Sequence, residues 1–347
     1  MTLPNAHDSQ RCTALNQSPQ MEETQAMYEF DYKGRITRYQ AALQNEGVDF
    51  GIVLRTGNIR YLTGFYGYAT RAEYFEPRRL LCLVVPQNGT PLLVVPKIER
   101  SFAEAATKSV PLQIEHHVEW ASDEDSRDAW EHVRKFIKSS GRKNARLSIE
   151  KPHLTERAYL PFVEKFEGFE IIESSDVIER HRDIKDDVEL RLHEACGKLA
   201  ASTFQVELEA IKRGGLRECD VALLGWEHSV RANAECIESS THNETFAQSP
   251  INLGAQLLTS GPRLSRPHGT ASTRKIESDD IIAIDLCRVP YLLGYRTGFG
   301  RVIAQRPLNS SEQDINAVVK KSYDTAVSLC RPGTVVSDID VAARDIL

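Results

Sequence analysis

The sequence has no apolar run long enough to cross a membrane and no paired-cysteine motif. Its hydrophobic segments fall short of the roughly 18–20 residues that span a bilayer, and no basic stretch followed by an apolar block predicts a secretory signal. The seven cysteines are scattered and form no CxxC pair, which favours reduced thiols over a disulfide framework or a zinc cluster. We therefore expect a cytoplasmic protein with no membrane contact.

An excess of basic residues is also lacking. There are 43 Lys and Arg against 49 Asp and Glu, so the formal net charge is −6. Proteins dedicated to nucleic-acid binding carry a basic stripe, and this balance argues against that class. The 347 residues, 41% of them hydrophobic and 27% charged, are typical of a globular protein with two domains.

The first half of the chain alternates between strand and helix patterns. Residues 1–27 are polar and aperiodic, which predicts a disordered tail. Residues 28–176 contain short apolar runs, such as 50–54, between helical periodicities. The pair Asn88-Gly89 separates two such runs and predicts a hairpin. This alternation predicts an α/β domain over residues 28–176.

The second half, residues 183–347, follows a charged connector and begins with a long helix. Residues 281–285 and 291–303 have strand patterns that we interpret as antiparallel, and helical periodicity returns over 311–329. The last amphipathic pattern reaches Leu347 without a helix stop signal. This predicts that the second domain is truncated at its C-terminal end.

Three motifs occur in a recognisable order. They are the run NIRYLTGF at 58–65, the run RDIK at 182–185, and His268 followed 17 residues later by Asp285 at the end of an apolar strand. In this order and spacing they resemble the creatinase/aminopeptidase P superfamily, the pita-bread hydrolases that include prolidase. The resemblance implies a creatinase-type α/β N-terminal domain followed by an α+β pita-bread catalytic domain, and a homodimeric assembly.

The resemblance also implies a catalytic site. Peptidase members bind two divalent metals through two Asp, one His and two Glu, and the metals activate a bridging water. His268 matches the active-site histidine of the family, and Asp285 matches its first aspartate ligand. No match for the last His and the two Glu occurs before Leu347.

The sequence departs from the peptidase pattern at the second aspartate. That position, four residues after Gly294, is Gly298, which has no side chain to offer. Creatinases also lack this Asp but carry a substrate-binding Glu two residues later, where this chain has Gly300. We therefore expect either no cofactor or a weakly bound divalent metal such as Mn, Zn or Co, held by Asp285 at a degenerate site.

Four side chains are candidates for the site. His268 suits proton transfer near neutral pH, and the alternative for it is a surface residue. Arg71 lies where creatinases hold a substrate carboxylate across the subunit interface, and the alternative is a solvated arginine in a charged loop. If residues 296, 298 and 300 share one strand face, Arg296 pairs with Asp285 in the volume left by the metal. The alternative is that Arg296 points to solvent.

These observations predict a creatinase- or Xaa-Pro-peptidase-like hydrolase. It would act on a C–N bond of a small molecule or dipeptide without an intact dinuclear metal site. One alternative is a metal-dependent Xaa-Pro aminopeptidase or dipeptidase. The other is a catalytically inactive relative that serves in binding or dimerisation.

Overall fold

The structure is a computed structural model that describes residues 28–65, 80–118, 120–142, 144–154, 156–173, 176–240, 256–287 and 291–347. The helices are α1 (Tyr32–Asn45), α2 (Thr56–Thr63), α3 (Arg100–Ala106), α4 (Glu124–Arg127), α5 (Ala129–Ser139), α6 (Glu156–Lys165), α7 (Asp176–Asp183), α8 (Asp187–Arg213), α9 (Glu218–Ser240), α10 (Ser310–Leu329) and α11 (Val336–Arg344). The strands are β1 (Phe50–Val53), β2 (Cys82–Pro86), β3 (Leu92–Pro96), β4 (Gln113–His117), β5 (Arg146–Ile149), β6 (Glu170–Glu173), β7 (Leu257–Ser260), β8 (Ile281–Asp285), β9 (Tyr291–Leu292), β10 (Tyr295–Arg296) and β11 (Gly300–Ala304). Two compact units make up the chain, one mainly before Glu194 and one mainly after it.

The N-terminal unit is built on a six-stranded mixed sheet in the order β4-β3-β2-β1-β5-β6. β2 and β3 form the antiparallel hairpin that the Asn88-Gly89 pair predicts, and Gly89 takes the positive φ of 104° that such turns favour. β1 pairs with β2 on one side and runs parallel to β5 on the other. Helices separate the parallel strands, so the predicted α/β character of this region is confirmed.

Two apolar clusters cover the two faces of this sheet. One packs α1, α2 and α7 against residues such as Leu83 and Leu93. The other packs α5 and α6, where the ring of Trp130 lies 4.9 Å from that of Phe162. Every residue of β1, β2 and β3 is buried because both faces are covered.

The first two motifs of the resemblance meet in a buried polar network of this unit. The side-chain amide of Asn58 donates to the carboxylates of Glu150 at 2.6 Å and Glu179 at 2.9 Å, and its oxygen accepts from Arg182 Nη1 at 2.7 Å. Glu150 also accepts from the backbone amides of Leu54 and Arg55, just before α2. These motif residues therefore hold the fold together. The charged segment expected to be a connector is in part helical, since α7 reaches Asp183.

The C-terminal unit contains most of α8 and of α9 together with a three-stranded antiparallel sheet in the order β11-β8-β7. Its core joins Ala210 and Ile211 of α8 to the buried residues Ile282 and Ile284 of β8. The predicted antiparallel pairing around residues 281–285 is confirmed. Within the described ranges, no helix is long and apolar enough to cross a membrane.

Candidate active site

The loop between β7 and β8 carries His268, which is exposed to solvent. The next residue, Gly269, returns to the sheet, and its carbonyl accepts a hydrogen bond from the Leu258 amide at 3.1 Å. Thr270 then forms a bridge with Leu257 of β7. His268 is therefore held at the edge of the sheet, where a small substrate can reach it.

A single buried carboxylate, that of Glu218, closes this loop. One oxygen accepts from the amide and hydroxyl of Ser260 at 2.8 and 2.7 Å. The other accepts from the amide and hydroxyl of Ser272 at 2.9 and 2.6 Å, and from the guanidinium of Arg263. Glu218 is 0% exposed and is the first residue of α9. It therefore joins both ends of the segment that presents His268.

Asp285 is the last residue of β8 and is half-buried. The strand alternates, so that Ile282 and Ile284 face the core and Asp285 faces the opposite side of the sheet. Asp285 lies directly across from Leu257 on β7 and from Gly300 on β11. Its carboxylate thus projects from the sheet face that the core does not cover.

The structure brings His268 and Asp285 to one sheet without joining them directly. Thr270 and Asp285 both pair with Leu257, from opposite sides. Two interstrand spacings, about 10 Å, therefore separate Thr270 from Asp285. Among the described residues, neither the His268 nor the Asp285 side chain makes a hydrogen bond or ion pair.

Where peptidase members carry two aspartate ligands, the described part of this sheet has one carboxylate, that of Asp285, and a glycine at position 298. A Cβ built on Gly298 would meet no atom of the described residues within 4 Å, so none of their side chains replaces the absent aspartate. No group of three or more His, Cys, Asp and Glu residues is arranged for a metal anywhere in the described ranges. Divalent ions need several oxygen or imidazole donors, and Asp285 supplies one carboxylate.

Arg296 does not lie where the sequence pattern places it. A shared face for residues 296, 298 and 300 requires one continuous strand, but β10 ends at Arg296 and β11 begins at Gly300. Arg296 is exposed, and no ion pair within 4.0 Å joins it to Asp285 in the described part of the chain. The continuous strand is therefore wrong, because β10 pairs with β9 whereas β11 pairs with β8.

Two further residues bear on the site, Arg71, which the sequence predicts, and Glu218, which it does not. Arg71 lies outside the described residues, so its role stays a prediction. Glu218 did not emerge from the sequence, although it stands at a helix start shortly after Gly214-Gly215. Its partners lie 42 to 54 residues further along the chain, and no local pattern connects them.

Comparison with known proteins agrees with this architecture. The model of the creatinase/prolidase N-terminal domain matches residues 35–184, and that of metallopeptidase family M24 matches residues 191–347. The Xaa-Pro dipeptidase of Lactobacillus delbrueckii subsp. lactis is 23% identical over 90% of this chain and 76% of its own length. The creatinase of Bacillus sp. is 25% identical over 90% of this chain and 69% of its own.

A solved structure shows the same fold. The Xaa-Pro dipeptidase of Bacillus anthracis superposes with a TM-score of 0.72 at 20% identity. The match covers 91% of this chain and 77% of that protein. The expected architecture, a creatinase-type N-terminal domain followed by a catalytic domain of the M24 type, is thereby confirmed.

Proposed function

We propose that this chain, which belongs to the creatinase/aminopeptidase P superfamily, is a hydrolase that cleaves a C–N bond in a small substrate. The substrate class is a dipeptide of the Xaa-Pro type or an amidine, since relatives include an Xaa-Pro dipeptidase and a creatinase. The observation that carries the proposal is that His268, open to solvent, lies in the loop between β7 and β8 of the three-stranded sheet on which Asp285 ends β8.

His268 is proposed to move the proton that hydrolysis requires. An imidazole accepts a proton from water and returns it to the leaving nitrogen near neutral pH. Asp285 would orient the attacking water or the substrate through hydrogen bonds that its carboxylate accepts. Its position on the sheet face that the core leaves open supports this role.

The proposed reaction does not depend on an intact pair of metal ions. Gly298 supports this, because it takes the place of a ligand that two ions would share. Arg296 and Arg71 are proposed to bind an anionic group of the substrate, and the exposure of the Arg296 side chain supports this for Arg296. The proposal includes a homodimer in the cytoplasm, as the resemblance implies.

The test is a hydrolysis assay over Xaa-Pro dipeptides, linear amidines and cyclic amidines. His268→Ala should lower kcat/KM for the accepted substrate by about 100-fold or more, the usual contribution of a general acid or base. His153→Ala, which changes another exposed histidine, is the matched control and should retain parental activity. Equal activity of the parent and of His268→Ala would refute the role of His268.

The second candidate is a protein that keeps the fold for binding or dimerisation without turnover. The glycines at 298 and 300 favour it, because both positions carry functional side chains in the enzymes that the sequence resembles. This candidate predicts that no member of the substrate panel is hydrolysed. It also predicts that dipeptides or amidines still bind, which isothermal calorimetry measures.

A further inference from the structure

Glu218 stands out because one carboxylate receives five hydrogen bonds from three residues of the same loop. The donors are Ser260, where the loop leaves β7, Arg263 within it, and Ser272, where it ends. A buried carboxylate is stable when charged only if its oxygens are well supplied with donors. Glu218 meets that condition with donors from Ser260, Arg263 and Ser272. In the sequence, His268 lies between the first and the last of these residues.

The contacts extend from Glu218 into the interior of the loop. Arg263, whose guanidinium pairs with Glu218, also donates through Nη2 to the carbonyl of Thr270 at 2.8 Å. Thr270 is two residues from His268 and bridges β7. The backbone of α9 adds to this, since the amide of Glu218 donates to the carbonyl of Arg274 at 2.9 Å. The peptide that carries His268 is therefore fixed from both sides.

We propose that Glu218 is a positioning residue that fixes the orientation of His268 for proton transfer. This inference rests on the proposed function, because it assumes that His268 takes part in the reaction. Glu218 does not touch the substrate. Its carboxylate sets the conformation of residues 260–272, and the 3₁₀ turn and the Arg266–Gly269 turn then place the imidazole at the sheet edge.

Glu218→Gln is the informative change because it keeps the shape of the side chain. The amide nitrogen of Gln cannot accept a hydrogen bond. In the variant this N–H donor would therefore face the hydrogen-bond donors of the loop. A displacement of about 1 Å at a catalytic group can cost roughly 100-fold in rate. We therefore expect kcat to fall about 100-fold while KM changes less than threefold. Glu218→Asp, which keeps the charge, should recover part of the lost kcat.

A second readout is independent of activity. Amide hydrogen exchange over residues 260–272 should become at least tenfold faster in Glu218→Gln, while exchange in β8 and α8 stays as in the parent. Glu312→Gln is the matched control, because Glu312 also binds an arginine, Arg306, at 2.7 and 2.8 Å but lies outside the loop. It should leave kcat and the exchange of residues 260–272 unchanged.

The outcomes separate this proposal from the proposed function. Unchanged exchange in Glu218→Gln, or a kcat loss that follows only the unfolded fraction, overturns the positioning role. If Glu218→Gln does not fold, Ser272→Ala and Arg263→Met remove single donors. Exchange in residues 260–272 that stays parental in both then overturns it. If His268→Ala keeps full activity, the proposed function fails, and the exchange measurement still decides whether Glu218 holds the loop.

Discussion

The two ends of the chain bury their apolar side chains to very different degrees. In the N-terminal unit, every residue of β1, β2 and β3 is buried between two apolar clusters. In α10, Ser322 is the one buried residue, and α11 has none. The helices α10 and α11 instead expose large apolar side chains, namely Ile315, Val318, Val319, Tyr323, Val327, Val336 and Val341.

This difference shows where the stability of the chain resides. Burial of apolar surface is the dominant favourable contribution to folding, so the N-terminal unit carries its own stabilisation. In α10 and α11, periodic apolar residues mark a helix, but within the described ranges no element covers that face. Buried charged side chains also differ between the two units. The buried Arg35 pairs with Asp186 at 2.7 Å, whereas the buried Glu207 of α8 has no cationic partner among the described residues.

Removing a large side chain from the first core should have the largest effect. Phe162 is 0% exposed, and its ring lies 4.7 Å from that of Phe166. Phe162→Ala should therefore lower the free energy of unfolding by about 3–5 kcal/mol, as measured by urea denaturation followed by circular dichroism. Val319→Ala in α10, where Val319 is 53% exposed, should change it by less than about 0.5 kcal/mol. Similar losses in both variants would contradict the comparison.

The unpaired Glu207 should make the C-terminal unit sensitive to pH. Burial raises the pKa of Glu207 from 4.5 to about 8. A hydrogen bond from the Gln256 side chain at 2.6 Å acts the other way and lowers the pKa. The neutral form is thus favoured in the folded state. Its contribution to stability is complete below pH 4.5, declines as the pH rises, and is lost above about 8. For a shift of this size the loss between pH 5 and pH 9 is about 4 kcal/mol.

Glu207→Gln tests that prediction, since the amide keeps the shape and cannot ionise. Urea denaturation at pH 5, 7 and 9 should show the variant gaining on the parent as the pH rises. Glu209→Gln, two residues away and half-exposed, is the control and should follow the parent. A difference between parent and Glu207→Gln that stays constant from pH 5 to pH 9 would refute a raised pKa for Glu207.

A smaller effect is expected in the polar network of the N-terminal unit. In Asn58→Ala, Glu150 loses its 2.6 Å hydrogen bond with the Asn58 side chain, and Arg182 loses its 2.7 Å one. The cost should be about 2 kcal/mol, because buried polar groups that lose a partner are expensive. Gln205→Ala, which removes an exposed side-chain hydrogen bond to Glu209, should cost less than about 0.5 kcal/mol by the same urea measurement. A parental midpoint for Asn58→Ala would mean that the motif does not stabilise the fold.

Much of the architecture could be predicted because local patterns encode it. The apolar run at residues 50–54 and the Asn88-Gly89 turn predict β1, β2 and β3 of the first sheet, and the apolar run before Asp285 predicts β8. Periodicity and turn chemistry act over a few residues, and the structure keeps them.

The site was harder to predict because pairing over long distances decides it. The strand expected over residues 291–303 is broken into β9, β10 and β11, with Leu293 at φ 48° and Gly294 at φ 90° between the first two. Two consecutive positive φ values form a tight hairpin turn, which a pattern of apolar residues does not reveal. Likewise, the contact of Glu218 with Ser272 spans 54 residues and leaves no local signal.

The most direct test of the proposed metal-independent site is to measure bound metal and hydrolysis on the same preparation. The chain is purified, analysed for Mn, Zn and Co by mass spectrometry, and assayed on its accepted Xaa-Pro or amidine substrate before and after treatment with a chelator. We predict far less than one ion per chain and the same kcat/KM after chelation, with His268→Ala inactive in both assays. About two ions per chain, with activity that chelation abolishes and Mn²⁺ restores, would contradict the account and favour a metal-dependent Xaa-Pro peptidase.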